Sequence, residues 1–516
     1  MAAWFIFLLF SFFLCLFLKS LLTSLSSSSS SSHPLPPGPL RLPFIGSLHL
    51  LLLSFTELEP ILRDLRAKYG PIVTLPIASR RAIFVSDRSL AHHALIQNGA
   101  VFSDRPRSPA TSKILNSNQH SITTAFYGPT WRLLRRNLTS EILHPARIKS
   151  FSGTRKRVLR TLLERLRSES ESSSSTSRNS IKVIDHFQYA MFCLLVFMCF
   201  GESVDEKKIR DIERVQRRYL VNFDRFNVLN FWPRVAKFLL YKRWEELLDL
   251  RKEQEDVLAP LIRAREKLGK EERISAVSYS DTLLDLEWPE EKRKLNEGEM
   301  VTLCSEFLNA GTDTTGTALQ WIMANLVKYP EIQEKVVKEI EGVMRERDGG
   351  GDNKEVREED LNKLPYLKAM ILEGLRRHPP AHFVLPHAVS EDLVFKDYLV
   401  PKENATVNFL VAEMGWDPKV WENPMEFKPE RFLKGGEGFE FDITGNKEIK
   451  MMPFGAGRRI CPAYNLAMMH LEYFVGNLVW NFEWKAPDGG YVDLSEKEEF
   501  TVVMKNPLQV CLSPRF

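Results

Sequence analysis

From Ala2 to Leu18 the chain carries no charged side chain, and past Lys19 further leucines continue the apolar run to Leu25. That reaches the ~20 residues needed to cross a bilayer. It reads as an uncleaved signal anchor over 1–25; a cleaved signal peptide would want a basic start and a small-residue cleavage site. Lys19, His33 and Arg41 follow with no acid among them, a bias that places the remainder of the chain in the cytosol. An unbroken serine run, Ser26–Ser32, reads as a flexible tether, and "PLPPGPLRLPFIG" sets five prolines in ten residues, a stiff hinge ending near residue 46. After about Gly128, patterns of helical period dominate. One runs from about Asn296 to Tyr329 and stops at Pro330, and "VKYPEIQEKVVKEIEGVMRERDGGGDN" reads as an amphipathic helix ended by glycines. Ser168–Ser180 and Asp348–Asn353 read as surface loops. "RAIFVSD", "DLVFKDYLVPKENATVNFLV" and "EFTVVMKNPLQVCL" have strand character. The expectation is a mainly α protein with a small β region.

Composition narrows this picture only modestly. A length of 516 residues suggests about three domains as a soft prior, and a 44% hydrophobic content supports a large core. Lys plus Arg is 70 against 66 Asp plus Glu, too balanced to point to nucleic acid, though a local basic face is compatible with it. The six cysteines, Cys15, Cys193, Cys199, Cys304, Cys461 and Cys511, show no paired spacing. A disulfide framework, a zinc site and an Fe–S cluster are all disfavoured. Five read as small hydrophobes; Cys461, alone in "PFGAGRRICPA", does not. The sequons at Asn137 and Asn404 would be idle in the cytosol.

Four short stretches hold candidate chemistry. In "LNAGTDTTGTALQW" (Leu308–Trp321) a long helix is interrupted by poor helix formers, Gly311 and four threonines, beside Asp313. This is either a bend with a solvated acid or a widened groove where a ligand binds beside a proton-donating acid and hydroxyl. Glu373 and Arg376 in "EGLRRHPP" share a helix face, and Arg431 in "FKPERF" could join them in a charge triad; a solvated surface pair is the plainer reading. Trp131 and Arg135 in "YGPTWRLLRRN" set a ring and a cation on one face, which ordinary surface packing also explains.

Taken in order, Trp131-x-x-x-Arg135, Ala310-Gly311-x-Asp313-Thr314-Thr315, Glu373-x-x-Arg376, Pro429-Glu430-Arg431-Phe432 and Phe454-x-x-Gly457-x-Arg459-x-Cys461 resemble a cytochrome P-450 over nearly the whole chain. The wording of the motifs resembles the A-type plant enzymes, most of all the plant family numbered eighty-nine. The resemblance replaces three domains by one haem-thiolate monooxygenase domain over 47–516, since Trp131 to Cys461 must converge on one cofactor. It implies haem b with Cys461 as the axial thiolate, whose electron donation favours O–O cleavage. Phe454 would shield the sulfur, and Gly455 and Gly457 would let the backbone fold closely beneath the ring. Trp131, Arg135, His387 and Arg459 would hold the propionates. Glu373, Arg376 and Arg431 would form the structural triad, and Asp313 with Thr314 the acid–alcohol pair that delivers protons. Ala463 departs from the pattern, which has glycine there; its methyl would press toward the haem.

Further implications are O2 as co-substrate, NADPH-derived electrons from NADPH-cytochrome P-450 reductase docking near Cys461, a lipophilic small-molecule substrate, and contact with membrane lipid. The destination implied is the endoplasmic reticulum membrane, single-pass, with no nucleic-acid partner. The pocket should draw on Ser108–Phe126, Asn309–Asp313, Ala381–Val384 and Phe500–Val503. An isomerase or dehydratase independent of O2, or a non-catalytic haem-binding protein, are the alternative readings.

Overall fold

The computed structural model describes residues 33–39, 55–77, 80–173, 180–222, 224–230, 233–269, 277–348 and 355–516, with residues 11, 271 and 273. Apart from Ser11, the apolar leader 1–25 and the serine run 26–32 lie outside the described residues, as does the glycine-rich stretch 349–353. Among the described residues no helix is long and apolar enough to cross a membrane.

The longer helices are α1 (Phe55–Tyr69), α2 (Pro129–Asn137), α3 (Ser152–Ser173), α4 (Ile184–Phe200), α5 (Glu206–Asn222), α6 (Pro233–Leu239), α7 (Tyr241–Lys267), α8 (Glu297–Lys328), α9 (Pro330–Asp348), α10 (Pro365–Arg377) and α11 (Tyr464–Asn481). The strands are short: β1 (Ile72–Ile77), β2 (Arg80–Val85), β3 (Ile181–Lys182), β4 (Leu393–Phe395), β5 (Tyr398–Val400), β6 (Ala405–Phe409), β7 (Phe482–Lys485), β8 (Glu496–Glu498), β9 (Val502–Met504) and β10 (Gln509–Pro514). β2 lies between β1, antiparallel, and β6, parallel. β10 lies between β3 and β7, and β4–β5 and β8–β9 are antiparallel pairs.

α8 is the axis of the molecule, and its ends follow from local chemistry. The Asn296 side chain accepts from the Glu299 backbone N–H at 2.9 Å, while the Glu299 carboxylate accepts from the Asn296 N–H at 2.8 Å. This reciprocal cap satisfies two donors that the first turn leaves open. Arg293 clasps the same carboxylate through two nitrogens at 2.8 and 2.7 Å. At the far end Pro330 cannot continue the helix and instead opens α9. The helix expected over 327–353 therefore begins three residues later than its apolar pattern suggested.

α4 is apolar and buried over most of its length, with Asp185 of its first turn exposed. Its contact with α8 depends on two glycines. A Cβ at Gly311 would lie 2.7 Å from Leu195 Cδ1, and one at Gly316 would lie 3.1 Å from Gln188 Cγ. The threonine-rich middle does not break α8, which is continuous α-helix throughout. Thr312 and Thr314 bond back to the carbonyls of Leu308 and Ala310, both at 2.7 Å, so their hydroxyls are satisfied without disturbing the ladder. The serine-rich segment read as a loop from Ser168 is helical to Ser173. There the backbone gains from continuing α3, and Ser170 Oγ bonds the Leu512 carbonyl of β10 at 2.9 Å. The segment Ile72–Ile77, not singled out in the sequence, becomes a strand because β2 offers it a six-residue register.

Candidate functional site

The loop before α11 folds back on itself. Gly455 and Gly457 take φ of +71° and +69°, a region that costs other residues energy. The Gly455 N–H bonds Met452 O at 3.0 Å, the Ile460 N–H bonds Gly457 O at 3.1 Å, and the Cys461 N–H bonds Phe454 O at 2.8 Å. Gly457 has a second reason to be glycine: a Cβ there would stand 2.1 Å from the Leu95 carbonyl oxygen. The close approach that excludes a side chain is thus to another backbone segment. Burial pushes the Cys461 thiol up, opposed by a hydrogen bond from the Ala463 backbone N–H and by the Arg135 charge. Ala463 therefore serves the sulfur through its main chain. It caps α11 with φ −100°, where alanine is as comfortable as glycine, so the fold of the loop does not require the smaller residue.

A group of cations lies beside this loop. The Arg459 guanidinium sits 4.6 Å from the Trp131 ring and Arg135 sits 5.8 Å from it. Arg459 donates to Ser103 O at 2.8 Å, Ala125 O at 2.8 Å and Ile122 O at 3.3 Å. Arg105, which no sequence motif singles out, is buried with them. Its Nε donates to Thr123 O, and one Nη donates to both Leu385 O and Pro386 O, all at 2.8 Å. Burial and then the neighbouring Arg459 charge pull Arg105 down to about 9, and burial takes Arg459 to about 10. These directions mark guanidiniums held among carbonyls and each other, short of anions. Asp104 is the acid acting on both, and its Oδ1 already accepts the N–H groups of Arg105 and Tyr127.

Trp131 adds an orphan: its Nε1 is buried with no hydrogen-bond partner. Such a donor is costly unless something accepts from it. His387 is buried, with Nδ1 2.6 Å from Phe102 O, so the proton is on Nδ1. Burial, then the Arg105 charge, holds the imidazole near 3, hence neutral with Nε2 as an acceptor. It can therefore pair directly with a carboxylate only as the imidazolium, a form that a carboxylate arriving beside it would favour. An unpaired indole N–H and three anion-poor guanidiniums beside an isolated thiol fit a planar cofactor bearing two carboxylates.

Glu373, Arg376 and Arg431 lie together and are fully buried. Arg376 grips Glu373 through two nitrogens at 2.7 and 2.8 Å and donates to the carbonyls of Gly415, Pro424 and Glu426. Arg431 reaches Glu373 at 3.3 Å, Glu437 at 3.0 Å and Asn423 O at 2.9 Å. The cluster ties α10 to the segment from Gly415 to Glu437, and the plainer reading of a solvated pair does not hold. Glu437 is a member that the motifs did not reveal.

Asp313 and Thr314 diverge. The Asp313 carboxylate accepts from Gln188 Nε2 at 3.0 Å and lies 4.0 Å from Arg217. Burial pushes it up, with Arg217 opposing and Glu499 assisting. The Thr314 hydroxyl is spent on Ala310 O. Neighbours on a helix are ~100° apart, and no hydrogen bond joins the two side chains among the described residues.

Two of the four stretches expected to line a pocket bond to α8: Ser108–Phe126 through Ile122 and Thr123, and Phe500–Val503 through Thr501. Glu306 of α8 accepts the N–H groups of Ile122 and Thr123 at 2.9 and 2.8 Å. The Thr501 hydroxyl bonds Thr317 at 2.9 Å, and the Val502 N–H bonds Pro380 O at 2.8 Å. Phe126, Leu385 and Phe500 are large apolar side chains left about half exposed. His382, inside the segment read as apolar, instead turns away and is buried against Glu59 and Trp416.

A family model described as "Cytochrome P450" matches residues 36–512. The chain is 52% identical to Cytochrome P450 89A9 of Arabidopsis thaliana over 94% of each chain. It is 32% identical to isoflavone 3'-hydroxylase of Medicago truncatula over 92% of this chain and 91% of that one. The solved structure of retinoic acid-bound cyanobacterial CYP120A1 shares the fold, with a TM-score of 0.73 at 21% identity, covering 94% of this chain and all of that one.

Proposed function

The chain belongs to the cytochrome P450 family of haem-dependent monooxygenases, and on that premise we propose that it inserts one atom of O2 into a lipophilic plant metabolite, with electrons from NADPH delivered by a reductase. The observation that carries this reading is the pairing of one isolated thiol, served by a backbone N–H, with an anion-poor cationic cradle. Cys461 is the residue that would ligate iron, Trp131, Arg105, Arg135 and Arg459 would receive the two propionates, and His387 would join them once charged. Phe454 packs beside Tyr464 at the start of α11. When bound, haem held by this thiolate would supply the activation of O2. Ala463 N–H and Arg135 oppose the burial cost of the thiolate charge. Glu373, Arg376 and Arg431 hold the scaffold and touch no substrate.

The protons come from the α8 side. Asp313 is kept weakly acidic by burial and is linked through Gln188 to half-exposed Arg217, whose Nη1 donates to Gln188 Oε1 at 2.7 Å. Thr314, one position on, presents an oxygen that can accept from water while its own proton is on Ala310 O. An intact acid and alcohol favour oxygen activation over an isomerase, which needs no proton delivery. Consumption of NADPH with a reductase, stimulated by a metabolite that shifts the Soret band, tests the class; a substrate converted without NADPH or O2 would overturn it. Thr314→Ala is expected to leave haem binding and stability essentially unchanged, since alanine is the better helix former by roughly 0.5 kcal/mol. Product per NADPH should fall toward the low end of a 10²–10⁴-fold acid–base contribution or less, because water can replace the alcohol, with the balance appearing as hydrogen peroxide. An unchanged ratio would remove Thr314 from the proton path.

Arg132 and Arg458 are exposed on either side of Tyr127, at 5.1 and 5.4 Å from its ring, and Tyr127 touches Trp131. This basic rim near the Cys461 loop suits an acidic electron donor. Around α6, Val235, Phe238, Leu239 and Tyr241 are exposed, an apolar surface suited to lipid. Together with the apolar leader it supports attachment to the endoplasmic reticulum membrane with the body cytosolic. Deleting residues 1–32 should therefore weaken but not abolish sedimentation with microsomes and should leave the haem spectrum intact. Loss of haem binding on deletion would show that the leader belongs to the fold.

A further inference from the structure

Glu306 is an acid for which the proton path has no use. It lies on α8 one turn before Ala310, and burial pushes its carboxyl up despite hydrogen bonds from Thr123, Ile122 and Ser121. What it holds is the loop after Gln119. One oxygen accepts the Ile122 N–H at 2.9 Å; the other accepts the Thr123 N–H at 2.8 Å and the Thr123 hydroxyl.

The same loop residues turn their carbonyls the other way. Ile122 O accepts from Arg459 at 3.3 Å, and Thr123 O accepts from Arg105 Nε at 2.8 Å. The peptide group joining Ile122 to Thr123 is therefore placed between charges, its N–H on a carboxylate and its C=O on a guanidinium. The next carbonyl takes the second guanidinium. Hydrogen bonds in such a chain polarise and strengthen one another in a low-dielectric interior. Arg459 thereby gains an anion at the distance of a single peptide group, and Arg105 gains one across the adjoining residue Thr123. Arg105 also bonds Leu385 O and Pro386 O, and Arg459 also bonds Ala125 O of the loop and Ser103 O outside it, so the loop carbonyls share with these neighbours the aiming of each guanidinium.

We propose that Glu306 is a positioning residue for the cofactor: through the Ile122–Thr123 backbone it aims Arg105 and Arg459 at the haem carboxylates and so governs how tightly haem is retained. This rests on the reading above that Arg105 and Arg459 receive the propionates. The Glu306 carboxylate touches neither iron nor propionate; it acts through the loop. The loop also carries Phe126 and ends one residue before Tyr127 of the basic rim, so a single acid on α8 ties both to the cradle.

The experiment is the rate at which the full-length haem protein gives up haem to excess apomyoglobin. Arg105→Leu should accelerate loss. Glu306→Leu should accelerate it roughly tenfold or more, the loss expected when a charge-assisted bond is removed, and Glu306→Gln, which keeps one acceptor oxygen, by less. In the double variant Arg105→Leu with Glu306→Leu, the acceleration should fall well short of the product of the two single accelerations, because the Arg105 branch is shared and only the Arg459 branch remains for Glu306 to act on. An acid that merely stiffens the fold would give effects that multiply, and that result overturns the proposal. So does a normal rate in Glu306→Gln and Glu306→Leu when Arg105→Leu is fast. If Glu306→Leu does not fold, Glu306→Gln and its double with Arg105→Leu decide the matter alone. An unchanged rate in Arg105→Leu would instead show that the cradle itself is misassigned, and the proposal falls with it.

Discussion

Cys461→His is expected to abolish the absorption band that thiolate haem shows when reduced and treated with carbon monoxide, and with it all substrate oxidation. The loop is built for a small anion. One backbone N–H, from Ala463, points at the sulfur, and Arg135 supplies a positive charge from the neighbouring helix α2. A neutral imidazole offers nothing for that field to stabilise, and as a ligand it lacks the electron donation that a thiolate brings to O–O cleavage. Because Gly455 and Gly457 already hold the loop at positive φ and Gly457 is locked against Leu95 O, the backbone has little room to retreat for the larger ring. Haem content measured by the pyridine haemochromogen should fall but not vanish, since the cationic cradle proposed for the propionates is untouched. The carbon monoxide difference spectrum is the deciding measurement; a retained thiolate-type band in Cys461→His would assign the ligand elsewhere.

Arg376→Leu should have the second largest effect, loss of most of the folded haem-binding protein. Removing one partner of a buried ion pair costs about 3–5 kcal/mol, because the other charge is left uncompensated. Here the bereaved charge is Glu373, fully buried, with only Arg431 at 3.3 Å and the Lys428 N–H at 2.8 Å remaining. The carbonyls of Gly415, Pro424 and Glu426 lose their donor at the same time. That total is a large share of the 5–15 kcal/mol that holds an ordinary domain together. Arg376→Lys is no rescue, since an ammonium cannot span two carboxylate oxygens and three carbonyls at once. Thermal unfolding and soluble yield measure it; Arg376→Leu with a wild-type melting temperature would show that the cluster contributes nothing to stability.

Much of this site was legible before any coordinates. The isolation of Cys461, the glycines beside it and the ordered motifs depend on residue type and spacing along the chain, and a sequence displays these directly. The ends of α8 were legible for the same reason: Asn296 and Pro330 act within one turn of themselves. The Ser168–Ser173 segment was not, because composition favoured a loop while packing against β10 favoured helix.

What the sequence by itself determined is the chemistry on offer: one isolated thiol, a set of cations, an acid beside an alcohol, and the members of a charge triad, together with the helices that carry them. Only the tertiary structure decided which atoms face one another. Arg105 joins the cradle through carbonyls 280 and 281 residues away, and no local pattern encodes such a contact. His387 is fixed as a neutral Nδ1–H tautomer by Phe102, and Asp313 turns to Gln188 and away from Thr314. Glu306 meets a loop more than 180 residues earlier in the chain. The physical reason is that hydrogen bonding and desolvation act through space over a few ångströms. Periodicity reports which face of a helix is buried, and only the packed neighbours settle what that face finds there.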